Sequence, residues 1–170
     1  MSIFFVALLG LLFVSQVVAT GLICPKSASA MHAGCEVPAI SFRNSCDAVR
    51  NEIIKRVEGQ YDSWHDPHNN GTYSVVAKEA ALFQLSRLTG DKKYTDLINF
   101  AFADNAEGGC DVAACSESQS FSIGDYGTNY CNILFLYCGE ARCKPFQVLE
   151  YAPATMGTCT EQSPEKCFTK

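Results

Sequence analysis

The sequence predicts an α+β protein in which one long helix packs on an antiparallel β-sheet and disulfides tie the loops. Three observations point there. A single stretch, Cys46 to Tyr61, carries the i, i+3, i+4 apolar period of an amphipathic helix. Later stretches alternate apolar and polar residues, or run as short apolar blocks bounded by turn formers, as strands do. All ten cysteines lie at or beyond Cys24, and an even number in an exported chain reads as a disulfide framework.

The elements follow in chain order. Met1 to Ala19 is apolar, carries no charged side chain and closes on Val17-Val18-Ala19, the small-residue end that suits signal peptidase. No basic stop-transfer flank and no second apolar stretch of spanning length follows. The reading is a signal peptide over 1–19 and one secreted domain over 20–170. Gly21 to Arg43 mixes Ser, Ala, Pro and Gly without a period and reads as an ordered arm stapled by Cys24 and Cys35.

Asn44 and Asp47 have the spacing of an N-cap and its third helical residue. Cys46, Val49, Ile53, Val57 and Tyr61 then form the apolar stripe, with Arg50, Asn51, Lys55 and Glu58 opposite, and Glu52 with Arg56 makes an i, i+4 pair. The helix should stop near Asp62, because His65 to Gly71 is dense in turn formers around Pro67. Trp64 is expected to anchor that polar loop.

Ser74 to Leu88 admits two readings. Ala77 to Leu82 and Gln84 favour helix, with Gly90 as a C-terminal cap between two helices. The entry Thr72-Tyr73-Ser74-Val75-Val76 and the period of two downstream favour strands, the preferred reading. Residues 94–102 alternate Tyr94, Asp96, Ile98, Phe100 and Phe102 with smaller or polar residues, and Thr89-Gly90-Asp91-Lys92 would be the hairpin turn before them. Tyr130 to Tyr137, broken only by Asn132, and Phe146 to Tyr151 read as two further strands. The tail after Pro153 is irregular.

Thirteen basic against eighteen acidic residues give a net charge of −5, which provides no electrostatic footprint for nucleic acid. The cysteines are Cys24, Cys35, Cys46, Cys110, Cys115, Cys131, Cys138, Cys143, Cys159 and Cys167. They permit about 945 pairings, so connectivity stays open, although Cys110 to Cys115 and Cys138 to Cys143 each enclose a loop short enough to close. No Cys-x-x-Cys occurs, which argues against zinc, and no cofactor is expected.

Asp62, His65, Asp66 and His68 gather imidazole and carboxylate, enough for a metal or a base with its orienting acid. Without a familiar ligand spacing, the cluster reads first as a solvated loop. Ser116, Ser118, Ser120 and Ser122 lack the Gly-x-Ser-x-Gly setting of a nucleophile. Asn70-Gly71-Thr72 is a glycosylation sequon. The run Ser116 to Asn129 reads as a polar loop, available for recognition.

Val75-Val76-Ala77-Lys78 leads into Ser86-Arg87-Leu88-Thr89-Gly90, with Ser86, Leu88 and Gly90 at the places of a Gln-x-Val-x-Gly motif. This segment is similar to the inhibitory hairpin of the secreted cystatins, and the order of one helix followed by a meander resembles that family over Arg43 to Cys159. Gly139-Glu140-Ala141-Arg142 stands where the family carries a Pro-Trp wedge. The resemblance implies a cystatin-like fold, pairing of Cys110 with Cys115 and of Cys131 with Cys159, and inhibition of papain-like proteases.

The functional expectation is therefore a secreted, monomeric binding protein rather than an enzyme. It would meet an extracellular protein through Leu88, Thr89, Gly90 and Asp91, possessing cysteine-protease inhibition in the cystatin version. Two other classes remain as alternatives: a toxin-like ligand acting on a receptor or channel, and a small hydrolase using His65, Asp66 and His68.

Overall fold

The computed structural model describes residues 21–60, 62, 64–80, 82–160 and 163–168; the expected signal peptide over 1–19 lies outside them. Strand β1 (Gly34–Phe42) is followed by helix α1 (Cys46–Glu58) and by strands β2 (Thr72–Glu79), β3 (Leu82–Leu88), β4 (Thr95–Asp104) and β5 (Cys110–Ser118). Helices α2 (Thr128–Leu134) and α3 (Pro164–Cys167) complete the chain. The strands form one antiparallel sheet in the order β1-β5-β4-β3-β2. β2 to β5 is a meander, and α1 carries the chain from one sheet edge to the other.

The strand reading of residues 74–88 holds. Phe83, Leu85 and Arg87 face inward along β3 and Asp96, Ile98 and Phe100 along β4, so a period of two outweighs the helical propensity of Ala77 to Leu82. Helix α1 forms in the expected stretch but ends at Glu58 with Gly59 as its C-cap, short of the expected stop near Asp62, and its N-cap is Ser45, whose Oγ accepts from Ala48 N at 3.3 Å. Asn44 instead accepts from Glu150 N at 2.8 Å, tying the carboxyl-terminal segment beside the helix start. Val49, Ile53 and Val57 are buried on α1, and so are Glu52 and Arg56, the expected i, i+4 pair.

Five further expectations are corrected. Tyr130–Tyr137 is not a strand: α2 occupies its first half and a turn the rest. Every residue from Asn129 to Cys138 is buried, so the run shows no period to separate helix from strand, and β5 already has β1 and β4 on its two sides. Phe146–Tyr151 makes only an isolated bridge, Tyr151 with Phe42 on β1, because Phe146 N and Gln147 N turn inward to Glu52. The arm before the helix contains an edge strand, β1, obscured by Pro38 at a break in its register between Val37 and Ile40. The polar run from Ser116 begins inside β5, which the sequence reading did not foresee.

The fifth correction concerns cysteines. The pairs are Cys24–Cys115, Cys35–Cys159, Cys46–Cys110, Cys131–Cys167 and Cys138–Cys143. Only the last of the two expected short loops forms, and neither pairing implied by the cystatin resemblance occurs. Cys110 and Cys115 open and run along β5, where five extended residues separate them by about 16 Å and place them on opposite faces; a disulfide cannot span that. Cys46–Cys110 clamps α1 to β5, and Cys35–Cys159 and Cys131–Cys167 fasten the irregular tail to β1 and α2. No described helix is long and apolar enough to cross a membrane.

Candidate ligand-binding cleft

Across four strands the residues in register change character toward one end of the sheet. Phe83, Phe100 and Ala114 make an apolar row, followed by Leu85, Ile98 and Ser116, and then by Tyr73, Arg87, Asp96 and Ser118. All four members of this last row are buried. Charged groups at inward positions need partners, and here these come from the loops beyond the sheet. Arg87 Nε donates to Asp66 Oδ2 at 2.8 Å, and Nη2 donates to the same carboxylate and to Asn69 Oδ1. Asp66 also accepts from His68 N at 2.7 Å and Gly71 N at 3.1 Å.

On the other side, Asp96 Oδ2 accepts from Asn132 Nδ2 at 2.8 Å. That amide also donates to Ser116 Oγ at 3.2 Å, which itself donates to Asn129 Oδ1 at 2.6 Å. Asn129 closes the chain by donating its backbone and side-chain N–H groups to Asp125 Oδ1 at 3.0 and 2.7 Å. A continuous buried polar path thus runs from β4 through α2 and β5 to the loop before α2. Gly127, at φ 81°, permits the turn that starts α2 and brings Asp125 back over it.

This path backs a cleft of about 700 Å³ between the β3–β4 turn and the loop 119–127, within the size range of small-molecule sites. Thr89, Gly90 and Asp91 form one wall, Asp96, Asp125 and Asn129 contribute polar surface, and Phe121 and Tyr126 reach it from the loop. Burial raises the pKa of both carboxyls: for Asp96 it outweighs the Asn132 bond, the Arg87 charge and Ser118, and for Asp125 it outweighs the Asn129 bonds, with Asp96 adding repulsion. Perturbed carboxyls in a cleft mark a functional-site candidate. Among the described residues, the buried side-chain atoms without a hydrogen bond are Arg87 Nη1, Asn132 Oδ1 and Asp125 Oδ2. All three belong to this one region.

The residues singled out from sequence divide accordingly. Thr89, Gly90 and Asp91 line the cleft, while Leu88 is half-buried at the end of β3. Trp64 anchors its loop, donating from Nε1 to Cys143 O at 2.8 Å. The imidazole and carboxylate cluster does not converge. Asp66 is engaged by Arg87, His68 Nδ1 lies 3.2 Å from Cys167 O, and exposed His65 lies 3.4 Å from Lys144 Nζ. No group of three metal-ligating side chains occurs among the described residues. Asn70 is exposed.

The sequence pattern leaves Asp96, Asn132 and Arg87 out of the candidate site, although each carries a signal: a charge or amide at an inward position of an otherwise apolar pattern. Comparison with protein-family models, curated proteins and solved structures finds no significant match to this chain.

Proposed function

We propose that the protein is an extracellular, disulfide-stabilised binding protein whose working surface is the concave cleft between the β3–β4 turn and the loop 119–127. One observation carries the reading: buried polar groups with unused hydrogen-bonding capacity collect behind this cleft and nowhere else among the described residues. Five disulfides suit an oxidising destination, and Cys24–Cys115 and Cys131–Cys167 tie down β5 and α2, the two elements that flank the loop 119–127.

The wedge-like use of Leu88 to Asp91 that the cystatin resemblance implies fits this geometry less well. Gly90 lies so close to the next loop that a Cβ there would sit 2.0 Å from Asn69 O, so the turn serves as a wall and not as a free tip. The sequon at exposed Asn70, next to Asn69 of the cleft rim, would place a glycan beside the opening.

Amide NMR with a panel of small amphipathic molecules tests the proposal. Resonances of Ala33, Thr89, Gly90, Ser122 and Gly124 should shift together, while those of Ala101 and Val112 at the far end of the sheet stay still. Shifts scattered over the surface, or none at millimolar concentration, would overturn it. Micromolar inhibition of papain by the same preparation would favour the wedge.

A further inference from the structure

We infer that the cleft takes an organic cation, a protonated amine carried on an aromatic or apolar body, with its N–H groups directed to Asp125 and Asp96 and its body against Tyr94, Phe121 and Tyr126. The inference rests on the cleft reading above and adds the chemistry of the occupant.

Charge comes first. Asp91, Asp96 and Asp125 line the cleft, and among the described residues no Lys, Arg or His does. Asp91 has Lys93 Nζ at 3.3 Å and Asp96 has the Arg87 charge behind it, whereas no cation among the described residues acts on Asp125, so Asp125 is the carboxyl left to meet a positive charge from the ligand. An anionic ligand would meet repulsion there, whereas a cation gains more from these groups than it would in water.

Hydrogen bonding supplies an independent reason. Asp125 is only 9% exposed. Its Oδ1 receives two N–H groups from Asn129, while Oδ2 is buried without a formed hydrogen bond, Thr160 being the nearby hydroxyl that favours its ionised form. A carboxylate oxygen is acceptor-only and can take more than one donor, so beside the Thr160 hydroxyl Oδ2 still offers a place to a donor from the ligand. An ammonium supplies up to three N–H donors along with the matching charge.

The rings decide between a metal and an organic cation. Tyr94, Phe121 and Tyr126 are 44%, 61% and 94% exposed, an unusual amount of aromatic surface around one opening, and ring faces attract ammonium groups. A bare metal ion would leave that surface and most of a cleft of about 700 Å³ unused.

Calorimetry with matched probes tests the inference. Tryptamine should bind at least tenfold more tightly than neutral 3-ethylindole, and 3-indolepropionate should bind more weakly than either. To separate a free amine from a protein-borne one, acetyl-Trp-Lys-amide is compared with its Nε-acetylated form. Asp125→Asn should reduce the affinity of the better cationic probe at least tenfold and leave 3-ethylindole unchanged, with circular dichroism confirming the fold. If neither cationic probe exceeds its neutral counterpart, or Asp125→Asn changes nothing, the inference falls. Should 3-ethylindole still shift the cleft amides in that case, the cleft reading survives; if no probe shifts them, both fail.

Discussion

Two buried arginines teach opposite lessons. Arg56 on α1 donates from Nε to Glu52 at 2.8 Å, from Nη1 to Phe135 O at 2.7 Å and from Nη2 to Cys138 O at 2.8 Å. Glu52 in turn accepts from Phe146 N at 2.9 Å and Gln147 N at 2.8 Å. Nothing in this pair is left over, and it stitches the irregular carboxyl-terminal segment to the helix. Arg87 leaves Nη1 without a partner and stands beside a second carboxyl, Asp96, and the ring of Tyr73 at 5.7 Å. Burial wins at Arg56 and lowers its pKa despite Glu52; at Arg87 burial is outweighed by Tyr73, Asp66 and Asp96, and the pKa rises. A closed ionic network is architecture, whereas one with surplus acid and open valences faces a cleft.

Breaking the closed pair should have the largest effect. Glu52→Ala strands a buried guanidinium and two backbone N–H groups, so denaturant unfolding should show a loss of about 3–5 kcal/mol. Arg87→Met should cost less, about 2–3 kcal/mol by the same reasoning, because Asp66 keeps its bonds from His68 N and Gly71 N. Its loss should depend on pH. Without Arg87 the pKa of Asp96 rises further, the folded state favours the protonated acid more strongly, and the deficit should be larger at pH 7 than at pH 4. Equal losses at the two pH values would contradict the electrostatic role given to Arg87.

Gly90→Ala sharpens the comparison by moving one region alone. The clash with Asn69 O should cost about 1–3 kcal/mol and displace the β3–β4 turn, shifting amides around the cleft while those near Arg56 stay fixed. Asp125→Asn should have the smallest effect and the opposite sign. The folded-state pKa of Asp125 lies above its ordinary 3.8, so its contribution is most favourable below that value and is lost as pH rises through the folded pKa. The variant escapes this loss, and thermal unfolding should show it more stable at pH 7 by about 1 kcal/mol, with the gain vanishing below pH 3.8. A constant offset across pH would sink the claim that burial of the charge is the cause.

Legibility in the sequence followed the presence of a water-facing side. Helix α1 and strands β3 and β4 each have a solvated face, so their periods of 3.6 and 2 are written in the residue order. Residues 130–137 have no such face, and helix and strand look alike there. The candidate site was legible only as exceptions: Arg87, Asp96 and Asn132 interrupt apolar patterns without indicating what they meet. The histidine loop drew attention by composition, yet Asp66 serves the arginine across from it.

The order of residues alone determined the amphipathic helix and weighted residues 74–102 toward a hairpin, because local period and turn chemistry act over a few residues. Only the tertiary structure decided the five disulfide pairings, the placement of β1 beside β5 and the meeting of Asp96 with Asp125 around one cleft. Those contacts join residues far apart in the chain, and their energies depend on which faces are buried together, a quantity that no local window contains.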